Sequence, residues 1–171
     1  MRKHLLAALE HKSPRVQFFA AISLGKHKVE EATPGLINLL ATAGSQDPYL
    51  RHAGMMGLKG ALSPGRLADL HDHESRTVRL SAIVALRNLH APEITAFLED
   101  KDELILLEAA RAIHDDQSIP EALPALSQLL GRPGLTNEAL MRRVINAAFR
   151  VGTYPALLQL EGYLKRREGS S

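Results

Sequence analysis

The stretch S-R-T-V-R-L-S-A-I-V-A-L-R-N-L at residues 75–89 decides the fold. It opens on Ser75, a residue type that is favoured as a helix N-cap. The apolar residues that follow mix spacings of three and four, and they are Val78, Ala82, Ile83, Ala85, Leu86 and Leu89. This spacing predicts an α-helix with a single apolar face.

A short segment within this stretch recurs five times along the chain. In each copy the first residue is Ala or Gly and the fifth is a branched aliphatic residue. The copies lie at residues 20–25, 54–59, 82–87, 109–114 and 147–152, with spacings of 34, 28, 27 and 38 residues. Periods in this range are typical of stacked supersecondary units.

Each copy follows a residue type that commonly caps helices, namely Ser13, Asp47, Ser75, Asp102 and Asn137. Asn137 stands three residues further from its copy than the others, so its helix is expected to run about one turn longer. A shorter apolar segment precedes each cap, and no strand-like alternation is present. The sequence therefore predicts an all-α fold, a right-handed α-solenoid of about five helix pairs plus an unpaired C-terminal helix.

We expect a single repeat domain over residues 1–168, followed by a tail or cloning remnant at 169–171. The predicted pairs and the final helix lie at residues 2–27, 33–60, 63–89, 92–114, 119–152 and 155–167. Because the helical pattern starts at once, the chain is expected to be a piece of a longer protein. Gly54 and Gly57 weaken their helix, and close helix–helix approach is their expected purpose.

Composition excludes several classes of function. The 171 residues carry a net charge of only +2, so no global field indicates nucleic acid. There is no cysteine, which rules out a disulfide framework or a thiolate metal site. There is no tryptophan and aromatic content is 4%, which disfavours a base-stacking platform. No apolar run is long enough to span a bilayer, no nucleophile elbow is present, and no cofactor is expected.

The repeated pattern cap-x-x-V-R/Q-x-x-A-A-x-x-L resembles short HEAT repeats, of the HEAT-like or armadillo type. Residues 13–25 and 75–86 match it best, whereas the fourth copy has Leu106 where the repeat usually places Arg. The resemblance covers nearly the whole chain. It implies a helical-repeat interaction module in which the second helix of each pair lines a concave surface.

Two segments resemble, more narrowly, the HEAT segment of large secreted bacterial proteins. They are D-P-Y-L-R-H-A-G at residues 47–54 and R-R-V-I-N-A-A-F-R at residues 142–150. In that family a propeller-type dehydrogenase-like domain precedes the segment and a cytochrome c domain follows it. The resemblance implies a docking module between redox domains, and a secreted or periplasmic location if it holds; the residues by themselves leave the compartment unknown.

The second helices of the predicted pairs carry eleven basic and three acidic residues, a net +8 against −6 for the remainder. With the HEAT resemblance, this partition predicts a basic concave face that attracts an acidic protein partner or a neighbouring domain. The contact candidates are Arg76, Arg87, Arg111, Arg142, Arg143 and Arg150. The first hypothesis is thus a non-catalytic scaffold, which could also form oligomers through the uncapped C-terminal helix.

Other interpretations stay open at this point. Arg51 and Arg79 follow their caps by four residues, where such arginines resemble a ladder that ties neighbouring turns, so part of the charge is expected to be structural. A nucleic-acid-binding solenoid that uses the same groove is the second hypothesis, and it is not favoured because aromatic residues are scarce. Phe18, Phe19 and Phe149 could lie partly exposed in the groove, but we expect burial, because a helical repeat more often buries such residues between its layers.

The segment H-D-H-E at residues 71–74 is the one local cluster of metal-ligand residue types. His71, His73 and Glu74 could share a site in an extended turn, which is the basis of a third hypothesis, a metal-dependent enzyme. A metal site needs a fuller ligand set and a second shell. A polar turn whose acids precede a helix N-terminus is the favoured explanation of the segment, and no metal is expected.

Overall fold

The structure, a computed structural model, describes residues 2–115 and 118–168, with the backbone alone at 167 and 168. The predicted tail at 169–171 lies outside the described residues. Every regular element in the described ranges is helical and none is a strand, which confirms the all-α prediction. The α-helices are α1 (Arg2–Ala8), α2 (Pro14–Lys26), α3 (Thr33–Ala41), α4 (Pro48–Ala61), α5 (Pro64–Ala68), α6 (Arg76–Asn88), α7 (Glu103–His114), α8 (Leu123–Gln128), α9 (Glu138–Val151) and α10 (Tyr154–Glu168).

The chain divides into two compact units, which we call unit 1 (residues 1–89) and unit 2 (residues 90–171). In unit 1 the helices stack in chain order. Helix α2 packs against α4, α4 packs against α6, and α3 packs against both α4 and α6. Helices α1 and α5 pack against the helix that follows each of them. Within this unit the second helices of successive pairs are therefore neighbours, as stacked repeats require.

Unit 2 begins with a 3₁₀ segment, Pro92–Glu99, where the pattern predicted an ordinary first helix. Its buried residues include Ile94 and Phe97, and side chains three apart lie directly over each other in a 3₁₀-helix. This spacing puts both side chains on one face of the segment, which packs against α7 and α8. Helix α9 then packs against α7 and α8, and α10 packs against α9.

Helix α9 is not a full turn longer than the other second helices, which contradicts the expectation from the position of Asn137. It begins one turn earlier relative to its repeat copy, yet its 14 residues only equal those of α4. The helix stops because Gly152 adopts a left-handed conformation with φ of 62°, a common helix C-terminus for a residue without Cβ. The expected burial of phenylalanines is also wrong for Phe19 and Phe149, whose exposed fractions are 57% and 73%.

The predicted N-caps fall into two structural kinds. Asp47, Asp102 and Asn137 accept backbone N–H bonds from the first turns of their helices. Ser13 and Ser75 make no such side-chain bond. Their own backbone N–H groups instead donate to the Nδ1 atoms of His11 and His73, at 3.0 Å in both cases. The residue before a second helix therefore caps the helix through its side chain in some repeats, and in others its backbone N–H bonds a histidine of the preceding turn.

Asp47→Ala is expected to lower the free energy of unfolding by about 1 kcal/mol. The Asp47 carboxylate accepts from the N–H groups of Tyr49 and Leu50 at 2.8 and 3.2 Å, and alanine would leave both donors to water. Ser13→Ala is the matched control, because it removes a hydroxyl that makes no capping bond. Equal losses for the two variants in urea unfolding would contradict this assignment of the caps.

Candidate functional site

Arg143 is bound within unit 2 and is not a free cation. Its guanidinium makes a two-point pair with Asp115, Nε to Oδ1 at 2.9 Å and Nη2 to Oδ2 at 2.6 Å. Its Nη1 also donates to the carbonyl of Ala139 at 2.7 Å. The exposed fractions of the two side chains are 20% and 31%. Arg143 thus fastens α9 to the end of α7, in the bidentate geometry that suits guanidinium and carboxylate.

The contact with Arg143 changes the pKa of Asp115. The hydrogen bonds from Arg143 lower the pKa of the Asp115 carboxyl below its ordinary value, and partial burial opposes this change only in part. His114, whose Nδ1 lies 3.1 Å from Oδ1, acts in the same direction as Arg143. The carboxylate is therefore ionised over the whole neutral range, and the pair holds two elements together.

The remaining unit 2 candidates also have partners inside the chain. Arg150 donates from Nη1 to the carbonyl of His114 at 3.3 Å and from Nη2 to Oγ of Ser118 at 3.2 Å. Arg111 pairs with Glu108 and Arg142 pairs with Glu138, both at 2.6 Å along their own helices. Exposed pairs of this kind neutralise charge locally and add little stability.

The unit 1 candidates differ from those of unit 2. Arg76 is exposed in the first turn of α6. Arg87 lies half-buried in the last turn of the same helix. It forms no ion pair or hydrogen bond with the part of the chain that the structure describes.

The expected arginine ladder is confirmed in unit 1. Nη1 of Arg51 donates to the carbonyl of Gly44 at 3.1 Å. Nη1 of Arg79 donates to the carbonyls of His73 and Glu74 at 2.6 and 3.1 Å. Gln17 occupies the equivalent position of the first repeat, and its Nε2 donates to the carbonyl of Leu9 at 3.0 Å. This position ties each second helix to the loop before it.

The structure does not bring His71, His73 and Glu74 together as ligands. Nδ1 of His71 lies 3.1 Å from the carbonyl oxygen of Ala68, and Nδ1 of His73 accepts the N–H of Ser75. Residues 2–115 and 118–168 contain no group of three or more His, Asp or Glu side chains placed to hold a metal ion. His73 instead holds the turn before α6, as His11 does before α2.

The charge is distributed unevenly between the two units. The net charge summed over all five second helices did not show this difference. Unit 1 has a net charge of +5 and unit 2 of −3. Helices α2, α4 and α6 contain no Asp or Glu at all, and their basic residues are Arg15, Lys26, Arg51, Lys59, Arg76, Arg79 and Arg87. The basic character that the sequence predicts is thus a property of unit 1, and a count made helix by helix would have found it.

Apolar side chains are exposed among these basic residues. Phe19 of α2 has an exposed fraction of 57%, Tyr49 of α4 of 74% and Val84 of α6 of 43%. Helix α10 of unit 2 also has exposed apolar side chains, at Tyr154, Leu157, Leu158 and Leu164. Helices α2, α4 and α6 differ from α10 because they combine apolar exposure with charge of one sign.

No protein-family model matches the sequence, and no curated protein is significantly similar to it. The crystal structure of an engineered protein aligns with 95% of this chain and 86% of its own, with 19% identity and a TM-score of 0.48. No helix in the described part of the chain is both long enough and apolar enough to cross a bilayer.

Proposed function

We propose that this chain is a non-catalytic, HEAT-like scaffold module that binds an acidic protein partner or a neighbouring domain of the same polypeptide. The observation that carries the proposal is the composition of α2, α4 and α6, which have seven basic residues and no acidic ones. A surface of one sign attracts partners of the opposite sign and speeds their encounter. The stacking of second helices in unit 1 supports the repeat interpretation.

The proposed binding face lies in unit 1, so it includes Arg76 and Arg87 and leaves out the contact candidates of unit 2. Arg111, Arg142, Arg143 and Arg150 have carboxylate, hydroxyl or carbonyl partners within the chain. A guanidinium that already has a partner must lose that contact before it can bind another. Arg87 has no such contact to lose among the described residues, so it is the better candidate for a partner's carboxylate.

Nucleic acid is the second candidate, favoured by the same positive charge. A phosphate backbone would need several cations in a row and, for single strands, aromatic rings on which bases stack. The exposed apolar side chains of these helices are two aromatic residues, Phe19 and Tyr49, and two aliphatic residues, Val16 and Val84. Two rings on three helices do not form the series of rings on which successive bases stack, whereas a mixed apolar surface suits the apolar residues of a protein. A metal-dependent enzyme ranks last, because the described residues contain no group of three or more His, Asp or Glu side chains placed to hold a metal ion.

Selection of a random 16-residue peptide library against the intact chain tests the proposal. We expect the enriched peptides to be acidic, with dissociation constants of roughly 10–100 µM that weaken as salt is added, since the contacts are partly electrostatic. A parallel titration with 20-nucleotide single- and double-stranded DNA provides the comparison. Failure to enrich any peptide, together with DNA affinity that falls steeply with salt, would favour the nucleic-acid candidate.

A further inference from the structure

Helices α2, α4 and α6 each carry an apolar and a basic side chain at corresponding places, and we call these six residues the basic–apolar face. The apolar row contains one residue per helix at the same repeat position, Ile22, Met56 and Val84. The basic row lies in the last turn of each helix and consists of Lys26, Lys59 and Arg87. Each basic residue follows its apolar neighbour by three or four positions, so both lie on the same side of their helix.

The packing of α2 on α4 places the equivalent ends of these helices together. Gly25, near the end of α2, contacts the backbone of Gly57 and Gly60, near the end of α4. Ala21 contacts Gly57 one turn earlier. The two helices therefore run in the same direction, and Lys26 and Lys59 lie at the same end of the layer. Helix α6 packs against α4 in turn, so the three second helices are successive neighbours.

The basic row has no counter-charge on its own layer. No acidic residue occurs in the three helices, and Lys26, Lys59 and Arg87 form no ion pair with the part of the chain that the structure describes. Among the acids of unit 1, Glu30 and Glu31 pair with Arg66 and Arg2 outside these helices. Cations in a last turn are favoured by the helix dipole, but this interaction leaves their outer hydrogen-bond donors available.

We propose that the basic–apolar face binds an amphipathic helix whose apolar stripe is flanked by carboxylates. Packed helices are spaced by about 8–10 Å, and seven residues of an α-helix span about 10.5 Å. A partner helix that crosses the layer would thus place one apolar residue per heptad on Ile22, Met56 and Val84. One Asp or Glu per heptad, a turn away, would then face Lys26, Lys59 and Arg87. The half-exposed Phe19 lies one turn before Ile22 on α2 and adds apolar surface beside the row.

The apolar row favours a peptide over a phosphate polymer or a lipid surface. Ile22, Met56 and Val84 have no aromatic ring, and Phe19 and Tyr49 are the two exposed rings on α2, α4 and α6, which is too few for a series of stacked bases. Three cations in the last turns of neighbouring helices, each three or four residues after an apolar side chain, match an amphipathic helix that binds in a groove. Complementarity of charge requires an acidic partner, and the spacing of the helices requires its apolar and acidic residues to repeat every seven positions. This inference rests on the proposed function and gives it a location and a partner class.

The test uses the intact chain and three labelled 21-residue peptides in a fluorescence anisotropy titration. The first peptide carries Leu and Glu on adjacent stripes with a period of seven, the second is a scrambled sequence of the same composition, and the third has Lys in place of Glu. We expect the first to bind at least about tenfold more tightly than either of the others, because it alone satisfies both rows.

Variants in the two rows locate the site. Lys59→Glu and Arg87→Glu are each expected to weaken the first peptide by about two- to fivefold. Phe19→Ala and Val84→Ala are expected to weaken it by up to about tenfold, as contact residues of an interface do. Lys101→Glu and Leu104→Ala change exposed residues of unit 2 by the same chemistry and should leave the affinity unchanged.

Each outcome supports or overturns the inference. Equal affinity for the scrambled peptide, or equal losses for the unit 2 variants, would overturn it and would leave the proposed function standing if selected library peptides still bind. Tighter binding of single-stranded DNA, or of vesicles containing phosphatidylserine, would overturn the partner class. If no peptide of either experiment binds, the proposed function fails as well.

Discussion

Gly60→Ala is expected to lower the free energy of unfolding by about 2–3 kcal/mol, although the same exchange stabilises an ordinary helix by about 1 kcal/mol. A Cβ at this position would lie 2.2 Å from the carbonyl oxygen of Gly25 and 2.5 Å from its carbonyl carbon. Both are backbone atoms of α2, so no side chain can turn aside. The two helices would have to separate along the contact that aligns the basic–apolar face.

Gly65→Ala is the matched control for this prediction. Gly65 lies in α5, and a Cβ built there would meet nothing within 4 Å. Alanine should be neutral or stabilising by about 0.5 kcal/mol, because it restricts the unfolded chain. The measurement is urea unfolding followed by circular dichroism. If both variants gained stability, the close contact between Gly25 and Gly60 would be wrong.

Arg143→Met is expected to lower the free energy of unfolding by about 2 kcal/mol at pH 7. Methionine keeps most of the aliphatic stem but leaves the Asp115 carboxylate, at the end of α7, without its two guanidinium donors. The loss is smaller than for a fully buried pair, because water reaches part of both side chains. Chemical unfolding of the variant and the parent chain in the same buffer measures it.

The pH dependence of this difference gives a second readout. The folded-state pKa of Asp115 lies below its ordinary value, so the pair contributes its full stability above the unfolded-state pKa of about 3.9. The contribution is lost as the pH falls through the lower, folded-state pKa. The stability difference between the parent chain and Arg143→Met should therefore persist through pH 5 and shrink in more acidic solution.

Arg142→Met is the control at the neighbouring position of α9. Arg142 also pairs with a carboxylate at 2.6 Å, but the side chains of Arg142 and Glu138 are 75% and 79% exposed. Its removal should cost at most about 0.5 kcal/mol. Similar losses for Arg142→Met and Arg143→Met would show that the Asp115 contact does not fasten α9.

The contrast between these neighbouring arginines matters for function as well as for stability. A side chain engaged like Arg143 contributes to the net charge of a surface but offers few free donors to a partner. Basic residues such as Arg51, Arg79 and Arg143 fasten a helix to a neighbouring loop or helix end. Lys26, Lys59 and Arg87, which form no ion pair with the described residues, are the ones that we propose to bind a partner. The variants above separate these roles, because Arg143→Met changes stability whereas Lys59→Glu changes affinity.

The sequence by itself determined the helical class and the approximate ends of most helices. Apolar spacing and N-cap chemistry act within one or two turns, so Asp47, Asp102 and Asn137 could be recognised without knowledge of the packing. It also predicted that Gly54 and Gly57 mark close helix contacts, which is confirmed: a Cβ at Gly54 would lie 2.7 Å from Leu40, and one at Gly57 would lie 2.6 Å from Leu36, both in α3. These features depend on neighbours in the chain or on the absence of a side chain.

Only the tertiary structure decided which cations are available. Arg143 binds a carboxylate 28 residues away and Arg150 a carbonyl 36 residues away. No local pattern specifies such partners, because packing determines which loop reaches a given guanidinium. Tertiary packing likewise left Phe19 exposed and made Pro92–Glu99 a 3₁₀ segment. The sequence determined where the charges are, and the fold decided which are already neutralised, because pairing depends on distance in space.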